Sequence, residues 1–234
     1  METIGERLRA VEREIGEAAK RRTKGVGENP RLIAVTKNHG VEAMREAIDA
    51  GASVIGENRV QEAAQKKETL MREVSWHLIG HLQTNKAKQA VRIFDLIHSV
   101  DSEHLLRAVD EAAHKIHKVQ EILIQVNLAK EESKSGVYKE DLPILVRQAD
   151  GMKNVRLMGL MCIAPNYEDV NDCRPLFGEM RDIFDRLKDF PFAKSEMKWL
   201  SMGMTHDYTI AVEEGANLVR IGTAIFGERY YGKK

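Results

Sequence analysis

The 234-residue chain balances 36 Lys and Arg against 36 Asp and Glu, and zero net charge without long blocks of one sign excludes the footprint of a nucleic-acid or membrane-surface binder. Its length allows one large domain, 1–234, with a substantial core, and is too short for a barrel plus a second full domain. Two cysteines, a charged segment over 1–22 and no run near the ~18 apolar residues of a membrane span imply no signal peptide, no spanning helix and reduced thiols in the cytoplasm.

Ile4, Leu8, Val11, Ile15 and Ala18 recur at steps of four and three, which predicts an N-terminal helix within 1–24 that packs on the rest and is ended by Gly25-Val26-Gly27. The run 31–37 is short, apolar and β-branched, bounded by Asn29-Pro30 and Asn38-His39-Gly40. It predicts a buried strand whose last residue is Lys37. Val41, Met44 and Ile48 mark the next helix, closed by Ala50-Gly51 as a C-cap.

The same alternation continues. Strands are predicted over 53–56, 76–80, 93–100, 122–127, 155–161, 199–202 and 217–221, and between them helical faces carry Val60 to Leu70, Lys86 to Val91, Leu105 to Ile116, Leu142 to Ala149, Leu176 to Leu187 and Asp207 to Glu214. Eight strands apolar on both faces, each followed or preceded by a helix, predict an α/β chain with a parallel sheet covered by helices. Eight is the number that closes a TIM-type (β/α)8 barrel of about 250 residues. A doubly wound open sheet would need a GxGxxG turn, and none is present.

A barrel gathers the C-terminal ends of its strands around one mouth. Those ends offer Lys37, Asn58, His77, Ser201, Arg220, Gly222 and Thr223. A lysine there either reaches water along its flexible stem or, losing hydration, becomes a nucleophile that forms a Schiff base with a carbonyl compound. Barrels often hold phosphate with the loops after strands seven and eight, where Gly203 and Gly222 let backbone N–H groups approach an anion. A phosphorylated aldehyde in this mouth would meet Lys37 across it. The bland reading makes the two glycines turn residues only.

Five segments, Leu32 to Lys37, Gly56 to Glu62, Trp76 to Lys86, Leu200 to Asp207 and Val219 to Gly227, resemble the successive signatures of the pyridoxal phosphate homeostasis protein family, in order and across nearly the whole chain. The resemblance implies a single barrel similar to the N-terminal domain of bacterial alanine racemase. It implies pyridoxal 5'-phosphate held as an aldimine on Lys37, with Ser201, Gly222 and Thr223 on the phosphate and Arg220 facing the pyridine nitrogen. An arginine in that position stays cationic and makes the cofactor a weaker electron sink than an acidic partner would. Asn58 and His77 match positions lining the mouth, and a buried, hydrogen-bonded ring suits His77.

By the same resemblance the chain carries or buffers the cofactor for vitamin B6 and for amino and keto acid balance, with cofactor-requiring apoenzymes as recipients. The racemases take a second acid-base group from an added β domain, for which this chain leaves no room after its last barrel element. A cytoplasmic monomer without efficient turnover is therefore expected. The alternatives are a racemase or decarboxylase working at one face of the aldimine, and a non-covalent barrel for a sugar phosphate.

Three features are read conservatively. His114 and His117, at i and i+3, lack a third ligand for a metal and read as a solvated pair. Cys162 at a strand end reads as small apolar packing. The run Lys130 to Lys134 reads as solvated charge, although the resemblance places a Glu-x-Lys-x-Gly motif on Glu132, Lys134 and Gly136, with Lys134 as a candidate cofactor shuttle.

Overall fold

In the computed structural model, which describes residues 2–25, 27–131 and 133–227, eight parallel strands close into a barrel in sequence order. They are β1 (Arg31–Val35), β2 (Val54–Glu57), β3 (Ser75–Leu78), β4 (Leu96–Val100), β5 (Gln120–Val126), β6 (Val155–Cys162), β7 (Trp199–Met204) and β8 (Leu218–Ile221). The last strand pairs with the first, Leu218 opposite Arg31 and Ile221 opposite Ala34, and this pairing closes the ring. The expected TIM-type barrel is therefore what the chain forms.

The outer ring is made of α2 (Val41–Asp49), α3 (Val60–Leu70), α4 (Ala87–Ile93), α5 (Glu103–His114), α6 (Leu142–Gly151), α7 (Arg174–Lys188) and α8 (Tyr208–Glu213), with a single turn, α9 (Thr223–Phe226), after β8. The extra helix α1 (Ile4–Arg21) buries the predicted face, Leu8, Val11, Ile15 and Ala18, against α2, α8 and α9. Thr3 caps it: its hydroxyl accepts from the Glu6 N–H while the Glu6 carboxylate accepts from the Thr3 N–H, a reciprocal capping box. The helix stops at Arg21, before Gly25, because the extended Arg22 turns inward and its guanidinium donates to the carbonyls of Val212 and Ala216.

Several boundaries differ from the sequence expectation by two or three residues, and three of them matter for the site or its reading. β1 ends at Val35, so Lys37 lies two residues beyond the strand, where the left-handed Asn38 (φ 64°) begins a turn. β4 starts at Leu96 rather than Ile93, because Ile93 still belongs to α4, and an apolar residue at a helix end looks the same as one at a strand start. β7 runs on to Met204.

The barrel interior is layered. Ile33, Val54, Leu96, Leu123, Met158, Met161 and Leu218 form an apolar cluster inside the ring. Nearer the mouth the buried residues turn polar, with His77, His98, Gln125, Ser201 and Arg220. Direct bonds between β4 and β7, which are not neighbours in the sheet, require these side chains to meet across the interior.

Candidate functional site

Above that polar layer lies a cleft of about 550 Å³, where Val35, Lys37 and His39 lie beside Arg220, Gly222 and Thr223, as the β1–β8 pairing requires, and Asn58, Met204, Thr205 and His206 complete the lining. Gln125, His81, Lys134 and Ser135 also border it. No carboxylate occurs among its described lining residues, while Lys37, Lys134 and Arg220 bring cationic groups. In a chain of zero net charge, that local excess makes the cleft an anion site.

Lys37 is half-buried and its backbone is held on both sides. The Thr36 N–H donates to the Gly56 carbonyl, and the Thr36 hydroxyl donates to Glu57 Oε1 at 2.5 Å. Lys66 Nζ donates to the Thr36 carbonyl at 2.8 Å and to the carboxylates of Glu57 and Glu62, each at 2.7 Å. Glu62 in turn accepts from the Asn38 N–H at 2.6 Å. Burial raises the Glu57 carboxyl above its ordinary value, against the opposing pull of Lys66 and Thr36. His39 stacks on Phe226 of α9, ring centroids 4.8 Å apart, so the lysine turn and the last turn of the barrel pack together.

The loops after β7 and β8 meet, although Gly203, expected in the first of them, lies within β7 and does not line the cleft. The Gly222 N–H donates to Thr205 Oγ1 at 3.2 Å, which ties the loop after β8 to the loop after β7. The first N–H groups of the α9 turn have no intrahelical acceptor, as at any helix start. Gly203 has φ 91°, and a Cβ there would lie 2.6 Å from that of Ala211, so the close approach of β7 to α8 depends on glycine. On the opposite wall, a Cβ on Gly80 would sit 2.4 Å from the Asn58 carbonyl oxygen, and this packing holds Asn58 at the cleft.

Arg220 closes the floor. It is 3% exposed; its Nη1 donates to Ser201 Oγ at 2.6 Å and its Nη2 to the Cys162 carbonyl at 2.8 Å. Both partners are neutral. Ser201 also meets His98 Nδ1 at 3.0 Å, and His98 Nε2 meets His77 Nδ1 at 3.0 Å. Burial pushes His77 down to about 4 and His98 well below the ordinary value, so both rings are neutral at pH 7.

Of the residues singled out from sequence, the cleft brings together Lys37, Asn58, Arg220, Gly222 and Thr223. His77 and Ser201 lie beneath its floor, each bonded to buried neighbours, and are not among the residues lining it. Sequence reasoning passed over Thr205, whose hydroxyl joins the loops after β7 and β8, and His98, a polar residue inside an apolar strand. For Thr205 the signal was available: it lies in the same motif as Ser201.

Lys134 leaves the solvated run and borders the cleft, held by the Ala164 carbonyl at 2.9 Å and by Glu131 at 3.1 Å. Its motif partner Glu132 lies outside the described residues, as does Val26. Cys162 is buried and its thiol is pushed up to about 12, which suits packing rather than reactivity. His114 and His117 do not share a helical face, because α5 ends at His114 and His117 adopts a left-handed turn (φ 55°).

Over residues 8–230 the chain matches the family described as alanine racemase, N-terminal domain. A closed parallel barrel with a lysine and the joined loops after β7 and β8 at its mouth thus falls in the class of alanine racemase-type barrels. An alanine racemase of Clostridium difficile 630 shares the fold, with a TM-score of 0.71 at 12% identity, over 96% of this chain and 57% of that one.

Nearer relatives are more specific. The pyridoxal phosphate homeostasis protein of Aquifex aeolicus (strain VF5) is 43% identical over 97% of this chain and 98% of that protein. PipY of Synechococcus elongatus PCC7942, solved with PLP bound, superposes with a TM-score of 0.84 at 36% identity over 96% of this chain and all of that one. The chain belongs to the pyridoxal phosphate homeostasis protein family.

Proposed function

We propose that the cleft binds pyridoxal 5'-phosphate covalently and reversibly, as a Schiff base on Lys37, and that the chain stores and hands over the cofactor without efficient turnover. The observation that carries this reading is the convergence, on one cleft whose described lining holds no carboxylate, of a lysine on a clamped turn, the joined loops after β7 and β8, and a buried guanidinium hydrogen-bonded to neutral groups. The residues fit the group. Gly222 and Thr223, with Thr205 between the two loops, suit its phosphate, and Lys37 suits its aldehyde.

Arg220 suits the pyridine nitrogen. A guanidinium donates and never accepts, so it favours an unprotonated ring nitrogen and weakens the electron sink that carbanion chemistry needs. Ser201 and His77 serve this arrangement from below, and Asn58 from the wall. The relatives' names, which describe homeostasis rather than a reaction, and a close structural neighbour solved with PLP support the same role. In this reading a monomeric, cytoplasmic, single-domain carrier delivers cofactor to apoenzymes.

The test is borohydride reduction of the chain loaded with pyridoxal 5'-phosphate, followed by peptide mapping. Pyridoxyl on Lys37 is expected. An adduct elsewhere, or none, overturns the proposal.

A further inference from the structure

The polar layer beneath the cleft forms a chain with one consistent direction. An arginine side chain only donates, so Ser201 Oγ receives the Arg220 Nη1–H through a lone pair. The serine hydrogen is then free for one neighbour, and the described neighbour is His98 Nδ1 at 3.0 Å. Nδ1 must therefore be the bare nitrogen and Nε2 must carry the hydrogen of His98. That hydrogen points at His77 Nδ1, 3.0 Å away, which leaves His77 protonated on Nε2. The reverse order would leave the buried Ser201 hydroxyl hydrogen without an acceptor among the described residues, a cost that burial imposes on any unmade hydrogen bond.

This order has a purpose that packing alone does not explain. An apolar residue at position 98 would suit the interior, whose lower layer is Ile33, Val54, Leu96 and Leu123. A buried guanidinium without a carboxylate partner, by contrast, is held only by the lone pairs it finds, and Ser201 offers a fixed one only if its own hydrogen is drawn to the far side. We infer that His98, braced by His77, is a positioning residue of the cofactor site: through Ser201 it fixes the Arg220 guanidinium so that its remaining N–H groups face the cleft. This rests on the reading of the cleft as a pyridoxal phosphate site.

Two substitutions separate positioning from packing. His98→Asn places an amide oxygen near the lost Nδ1 but leaves space unfilled, whereas His98→Leu fills space and offers no acceptor. The two properties to measure on the full chain are the melting temperature without cofactor and the dissociation constant for pyridoxal 5'-phosphate, titrated through the aldimine absorbance. His98→Leu leaves the Ser201 hydrogen and His77 Nδ1 unmet, so it should melt earlier, and it should bind about tenfold more weakly, the loss expected for one hydrogen bond to a charged group. His98→Asn should melt earlier yet bind within about threefold of the unmodified chain.

Weak binding by His98→Leu beside near-normal binding by His98→Asn, although both melt earlier, supports the inference. Equal binding by both variants, or binding that simply follows melting temperature, overturns it. Should either variant fail to fold, the ¹⁵N shifts of His98 in the unmodified chain decide: hydrogen on Nε2 is expected, and hydrogen on Nδ1 overturns the inference. Trapping on the unmodified chain keeps the two readings distinct, because a missing Lys37 adduct overturns the site itself, while an adduct with the wrong variant order overturns only the role of His98.

Discussion

Two of the buried cations, Lys66 and Arg220, are treated in opposite ways. Lys66, between the strands and the helix ring, is flanked by the carboxylates of Glu57 and Glu62. Among the described residues, Arg220, inside the ring, hydrogen-bonds only to a hydroxyl and a carbonyl. A buried charge ordinarily requires a partner. Lys66 is thus complete within the chain and serves structure, tying Thr36 and Glu62 around the Lys37 turn, whereas Arg220 is incomplete and gains from a ligand that supplies acceptors.

Substitutions can break or sharpen that contrast. The largest effect falls on the residue between the two: Lys37→Ala should abolish the yellow aldimine band and the trapped adduct while leaving the circular dichroism spectrum unchanged. Unfolding of that variant would give Lys37 a structural role instead. Next, Glu57→Ala leaves the Lys66 ammonium buried with one carboxylate fewer and should cost about 3 kcal/mol in urea unfolding. Arg220→Met should behave differently. The cofactor-free chain should change little in stability, because the desolvation cost of the guanidinium is removed together with its bonds to Ser201 and Cys162, while cofactor affinity falls at least about tenfold.

A pH series sharpens the comparison from the histidine side. The His77 ring titrates at about 4 in the fold, against 6.5 ordinarily, because burial disfavours its charge. Folding therefore prefers the neutral ring. Its contribution is fully present above pH 6.5 and is lost as pH falls toward 4, by about 3 kcal/mol for His77 alone. Glu57, raised by burial, contributes with the opposite sign and gains stability as pH falls. Urea unfolding at pH 7.5 and 4.5 should show a smaller loss for His77→Gln than for the unmodified chain. The smallest effect belongs to the surface: Lys130→Ala removes an exposed ion pair with Glu140 and should leave the unfolding midpoint unchanged.

The fold was largely legible because each strand is a short apolar run and each helix a separate amphipathic face. The site was legible where chemistry and position coincide, as with Lys37 past the first strand and Gly222 past the last. His98 was not, since one histidine in the run 93–100 looks like a satisfied core residue, and its decisive neighbour Ser201 lies 103 residues away. Only the barrel's strand stagger brings those two to one level. α9 was invisible for a simpler reason: four residues are too few to show a helical period.

One further consequence comes from α1. The ring has a seam where β8 rejoins β1, and α1 lies over the helices on either side of it. Its Ile4 N–H donates to Glu46 on α2, and Arg21 pairs with Glu213 on α8. It also packs on α9, the turn that suits the phosphate. Removing α1 would thus spare every cleft residue and still loosen the turn behind the anion's cradle.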